Sequence, residues 1–186
     1  MPTGWCQEWA YWSVIEIVSN VDFCQEARRQ STEQVVRLYD HYQLEGKDQN
    51  RAVQKTLDVL FPGWKATEND HVGIVGYEEE YWGRYNLLLT HPLREEVPAI
   101  LSRRMKLPAK SPQLLLSVAN HGDGDFELQV RVDGKVAHRQ VIAGEGWKDL
   151  AIDLSPWAGK NVKIELVNMP NNWEQEWAHW GRIEIK

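Results

Sequence analysis

Residues 126–134 read Phe-Glu-Leu-Gln-Val-Arg-Val-Asp-Gly. Apolar and polar side chains alternate through the first seven, the period of a strand with one buried face and one wet face. Asp133-Gly134 then supplies the residue pair that a two-residue hairpin turn prefers. A return strand over 135–142 follows. Further strands are expected at Leu150-Ala151-Ile152-Asp153-Leu154, at Val162-Lys163-Ile164-Glu165-Leu166-Val167 and over 176–185. Upstream, Tyr85-Asn86-Leu87-Leu88-Leu89-Thr90 stops at His91-Pro92, and residues 97–107 and 113–119 are separated by Pro108 and Pro112. Short strands at this spacing, with no helix between them, predict a jelly-roll β-sandwich of about eight strands over 64–186.

Before the sandwich the period changes. Residues 18–63 are helical in pattern and predict a small α-helical hairpin. Ser31-Thr32-Glu33-Gln34 offers a capping hydroxyl with a glutamine three positions on. Val35, Leu38, Tyr39 and Tyr42 then share one face, and Gly46 stops that helix. Asp48 can cap a second helix carrying Val53, Leu57, Leu60 and Phe61, ended by Pro62-Gly63. The fold class expected is therefore mainly β, a jelly roll preceded by this hairpin.

The chain also repeats itself. Residues 5–17 and 173–185 agree at nine of thirteen positions without a gap, at an offset of 168. Matches of tryptophan and glutamate in register suggest an array of modules, with residues 1–17 equal to the closing strand of a preceding unit. The alternative is two related strands in one domain.

Composition excludes several function classes. The chain has 186 residues and a net charge of −6, and its basic residues are scattered, so a phosphate backbone would be repelled. No run approaches the ~20 apolar residues of a membrane helix. Residues 1–5 lack the basic start and apolar core of a leader, so an export signal would lie outside this chain. Cys6 and Cys24 are too few for a disulfide scaffold and read as free thiols or one local bridge. No nucleophile elbow, phosphate loop or zinc spacing occurs, and the six histidines are dispersed. A carboxylate pair for glycoside hydrolysis is set in space, with Glu176 and Asp125 as the candidates. The expectation is a protein that is not an enzyme.

Three further motifs carry a resemblance. Val132-Asp133-Gly134-Lys135, Trp147-Lys148-Asp149 and Asp153-Leu154-Ser155-Pro156-Trp157-Ala158-Gly159-Lys160 resemble the middle of galactose-binding-like jelly rolls, which include many carbohydrate-binding modules. Thr90-His91-Pro92-Leu93, Gly124-Asp125-Phe126 and the tryptophan-rich last strand resemble modules of large bacterial proteins. The resemblance covers roughly residues 64–186. It implies a non-catalytic module that binds polysaccharide or glycan, one unit of a tandem array in an extracellular or cell-envelope protein. The other reading is a structural or protein-contact module whose tryptophans pack against neighbouring modules.

Ten tryptophans must serve either core or ligand. Sugars are held by aromatic faces, with carboxylates and amides taking the hydroxyls. The approach to the last strand supplies both, and Trp173, Asn172 and Glu176 are the candidate ligand-binding residues there. Trp82, after the acidic run Glu78-Glu79-Glu80-Tyr81, and His91 join them. That acidic run reads as a solvated loop or a cleft wall. His91 before Pro92 also suits a hydrogen-bonded structural histidine. Asp123 and Asp125 lie two apart in a glycine-rich turn and could aim oxygens at calcium, which takes six to eight. Calcium binding in this turn is otherwise implied by the resemblance alone.

Overall fold

The computed structural model describes residues 49–67, 75–171, 173 and 175–186. The first helix of the expected hairpin, both cysteines and residues 1–17 lie outside the described residues.

Helix α1 (Gln49–Leu60) contains no glycine or proline and buries Ala52, Val53, Thr56 and Leu57 along one face. It stops where Gly63 takes a φ of 88°, two residues after Phe61. The Gln54 side chain ties the helix to the first strand: its Nε2 donates to the Trp64 carbonyl (3.2 Å), and its Oε1 accepts from the Ala66 amide (2.9 Å).

Ten strands follow: β1 (Lys65–Ala66), β2 (Gly76–Tyr81), β3 (Arg84–Thr90), β4 (Ala99–Lys106), β5 (Gln113–Asn120), β6 (Phe126–Val132), β7 (Lys135–Ile142), β8 (Lys148–Asp153), β9 (Asn161–Met169) and β10 (Ala178–Ile185). They form two five-stranded antiparallel sheets, ordered β1-β4-β9-β6-β7 and β2-β3-β10-β5-β8. The jelly-roll sandwich is as expected. The strand count exceeds the expected eight or so because β1 is only two residues long and β2 occupies the acidic run. Glutamates on β2 mark a sheet edge, where charge is tolerated and discourages pairing with other chains, and this is why the run is a strand and not a loop.

Leu114, Leu116 and Val118 of β5 meet Leu128, Val130 and Val132 of β6 and Ile164 and Leu166 of β9 in the core. α1 contributes Val53, Leu57 and Phe61. Trp180 is fully buried, and its Nε1 donates to Thr90 Oγ1 at 2.9 Å. An indole N–H removed from water needs such a partner, which gives Thr90 a structural role.

The β2–β3 hairpin leaves the plane of its sheet. β3 pairs with β10 only from Leu88 to Thr90, although the strand begins at Arg84. Asn86 has a φ of 59°, a left-handed conformation that breaks the strand's regularity. Beyond it, Arg84 at the hairpin tip forms a bidentate ion pair with Asp149 of β8 (2.8 and 3.2 Å). In a flat sheet β10 and β5 would separate these residues. The hairpin tip therefore arches across the outer face of its own sheet to the far edge.

Candidate functional site

The segment entering β10 is built around one buried carboxylate. Glu176 is fully buried, and its Oε1 accepts the amides of Trp173 (2.9 Å) and Asn171 (3.3 Å). Its own carbonyl accepts Asn168 Nδ2 at 2.9 Å. Trp173 and Gln175 sit at φ of 63° and 54°. Left-handed conformations are costly for such residues and persist where the surroundings over-determine them. The Glu176 carboxylate does so here. The consequence is an indole, 39 % exposed, displayed at a sandwich end.

His91 lies beneath that indole. Its ring centroid is 5.5 Å from Trp173, edge-on, and 4.5 Å from Trp177. His91 Nδ1 is 2.8 Å from the Pro92 carbonyl. Burial lowers the His91 pKa below its ordinary value, partly offset by that hydrogen bond. His91 thus packs between the Trp173 and Trp177 rings, and its contact with the Pro92 carbonyl gives it a hydrogen-bonded structural role.

Trp82 belongs to a second aromatic group at the hairpin tip. With Gly83 it forms the two-residue turn between β2 and β3, at φ of 46° and 75°. Its ring stacks on Tyr81 at 4.6 Å, and Tyr81 stacks on His179 of β10 at 3.7 Å and 3°. Glu78 Oε2 is 2.5 Å from His179 Nδ1. Burial raises the Tyr81 pKa; Glu78 and Asp123 add to the rise, and a hydrogen bond with the Gly122 backbone opposes it. Trp147, from the β7–β8 loop, donates Nε1 to the Tyr81 carbonyl at 3.1 Å. Its ring lies against Gly181, where a Cβ would stand 3.1 Å from Cζ3, and under the Arg84 guanidinium at 4.8 Å.

The structure thus brings Trp173 and His91 together, with Glu176 behind their loop and not at its surface. Trp82 is in the neighbouring group. Asn172 lies outside the described residues. Asp123 is exposed and Asp125 half-buried, in a turn held by Asn120, whose Nδ2 donates to the His121 and Gly124 carbonyls at 2.6 Å each. Among the described residues no group of three histidine, cysteine or acidic side chains is arranged to hold a metal. Tyr81, in the acidic run, Trp147, in a quoted motif, and Trp177, in the approach to the last strand, are not among the candidate ligand-binding residues. The available signal was the alternation of Trp177, His179 and Gly181 with the core residues Ala178 and Trp180, which leaves three successive positions needing cover.

No protein-family profile matches the chain. An uncharacterized protein of Archaeoglobus fulgidus is 28% identical over 120 residues, covering 54% of this chain and 30% of that protein. The chain thus spans about 30% of the length of the curated relative it matches. Among solved structures, the K3 cleaved adhesin domain of Lys-gingipain from Porphyromonas gingivalis superposes with a TM-score of 0.50 at 12% identity, over 68% of this chain and 93% of that one. A family 35 carbohydrate binding module from an environmental isolate gives 0.48 at 16% identity, over 67% and 86%. The CBM22-1 xylan-binding domain from Paenibacillus barcinonensis gives 0.48 at 15% identity, over 68% and 86%. At 12% identity the likeness to the adhesin domain is one of fold alone, two antiparallel sheets packed as a jelly-roll sandwich.

Proposed function

We propose that this chain is a non-catalytic glycan-binding module, one unit of a tandem array in a larger exported protein. The observation that carries the reading is Trp173, a half-exposed indole held in a strained conformation by a buried carboxylate. A large aromatic face kept at a sandwich end against its backbone preference suits stacking on the C–H face of a sugar. The hairpin that crosses the outer face of the second sheet supports the same choice, because it leaves the loop end as the open aromatic surface. The repeat at 5–17 and the longer archaeal relative support the modular part of the proposal.

A glycan-array screen of the purified chain followed by Trp173→Ala tests it. The variant should bind the identified glycan about tenfold more weakly, a loss of about 1.4 kcal/mol, with its melting temperature nearly unchanged. Normal affinity with a large loss of stability would make the indole a packing residue and refute the platform. The rival, a structural or protein-contact module, is favoured by the full burial of Trp64 and Trp180. An empty array would select it.

A further inference from the structure

The hairpin that arches away from its sheet leaves half of β10 with a neighbour on one side only. β3 accompanies β10 from Ala178 to Trp180, whereas β5 accompanies it to Ile185. Beyond Ile185, Lys186 and Gln113 exchange both backbone hydrogen bonds, at 2.9 and 3.0 Å. Antiparallel partners alternate between bonded and non-bonded pairs, so Glu184 and Arg182 also turn their peptide groups toward β5. Ile183 and Ile185 turn theirs the other way. Among the described residues no strand pairs with them on that side.

A cavity of about 280 Å³ lies against this edge. Its apolar wall comes from Leu60, Phe61 and Pro62 where α1 stops, from Met105 of β4, and from Ile183 and Ile185. Trp64 also lines it, fully buried, and its Nε1 has no hydrogen-bond partner among the described residues. Arg103 brings the charge. It pairs with the fully buried Ile164 of β9, so its side chain leaves the inner face of the first sheet, in line with Leu101 and Met105. That face of a sandwich is ordinarily apolar core. Among the described residues the half-buried Arg103 side chain has no hydrogen bond or ion pair. Glu184, the carboxylate of the same cavity, is already held by Arg182 and Lys186.

We propose that an extended peptide docks here as an added strand on β10, with an apolar side chain in the cavity and, two residues along, a carboxylate on Arg103. Unpaired strand edges recruit strands, because backbone groups without partners are costly. The open groups of Ile183 and Ile185 lie roughly 6.8 Å apart, the repeat of a strand and not of a small molecule. A small acid fills the cavity and reaches Arg103 but leaves that edge unmade. Alternate residues of a strand face one way, which sets the apolar and acidic side chains two apart. An inward arginine without an internal partner selects negative charge and rejects positive. The edge lies at the opposite end of β10 from the Trp173 loop, so peptide docking does not depend on the glycan-binding reading.

The end-capped heptapeptide Thr-Leu-Thr-Glu-Thr-Leu-Thr tests the proposal, since its palindromic order offers the pattern in either chain direction. Titrated at millimolar concentration into the isotope-labelled full chain, it should shift the Ile183 and Ile185 amide signals and slow their hydrogen exchange about tenfold at saturation. Lysine in place of the peptide's glutamate should weaken binding about tenfold, and N-methylation of every peptide amide should abolish it. Arg103→Gln should weaken binding of the glutamate peptide about threefold or more, with the circular dichroism spectrum unchanged, because the arginine has no partner to lose among the described residues. Absence of binding, equal binding of the lysine or the N-methylated peptide, undiminished binding by Arg103→Gln, or 4-methylpentanoate bound as tightly as the peptide each overturns strand addition.

Discussion

The two outer faces of the sandwich are built on different principles. On the first sheet, β6, β7 and β9 display a ladder of polar and charged pairs: Glu127 with Arg139 at 3.4 Å, Arg131 on Gln129 at 2.7 and 2.9 Å, and Lys163 with Glu165 at 2.6 Å. These are mostly neighbours on one strand or across one pair, and the face is that of a wetted antiparallel sheet. On the second sheet the corresponding surface is crossed by a hairpin and faced with rings, and its contacts join residues far apart in sequence, such as Arg84 to Asp149 and Trp147 to Tyr81. The difference teaches that polar pairs next to each other are the ordinary way to keep a sheet in water, whereas a strained, long-range aromatic cover points to a function beyond solubility.

The largest expected effect comes from the carboxylate that shapes the aromatic end. Glu176→Ala removes the acceptor of two loop amides in a buried position, and losing hydrogen bonds to a buried charged group predicts a loss of about 2–4 kcal/mol. On the charged face, Arg139→Ala should cost no more than about 0.5 kcal/mol, because the pair is solvent-screened. Chemical denaturation of both variants checks this. Similar losses would break the distinction between the faces.

A smaller effect tests the cover itself. Gly181→Ala places a Cβ against the Trp147 ring and should displace it, at about 1–2 kcal/mol for local overpacking. The displaced indole would lose its hydrogen bond to Tyr81. Red-shifted tryptophan emission and faster hydrogen exchange in the hairpin are the expected signs. Unchanged emission and exchange would mean that Trp147 does not hold the hairpin down.

The smallest effect is a pH dependence. Burial keeps the His91 pKa lower in the folded state than in the unfolded chain, so the unfolded state takes up a proton first as pH falls. Above about pH 6.5 both states are neutral at this site and nothing is lost. Below it, stability declines until the folded-state pKa is passed. His91→Gln should flatten that part of a melting-temperature profile between pH 7 and 5. A profile unchanged by the substitution would show that His91 does not report on folding.

How much was legible in advance varied with the range of the interaction. The alternation of residues 126–132 and the Asp133-Gly134 turn announced their hairpin, and β6 and β7 pair as that pattern requires. The chemistry of Trp173 and His91 and their nearness to turns mark both as site candidates, and the structure brings their rings to 5.5 Å. Glu176 reads from the sequence as a hydroxyl acceptor but is turned inward to its own loop, since nothing local in Trp-Glu-Gln-Glu distinguishes a clamp from a ligand contact. The glutamates of β2 concealed a strand because edge strands carry charge for reasons that a hydrophobic pattern does not record.

What the sequence alone determined is the local grammar: where strands alternate, where turns demand left-handed residues, and where a helix must stop at Pro62-Gly63. Period and turn chemistry act over a few residues, so they can be read from a few residues. Only the tertiary structure decided that the β2–β3 tip crosses two strands to reach Asp149, that Glu176 faces inward, and that His91, Tyr81 and Trp147 come to cover one strand. Those contacts join positions 65 or more residues apart in the cases of Arg84–Asp149 and Trp147–Tyr81. They are selected by how whole sheets twist and pack, and no short stretch of chain encodes that choice.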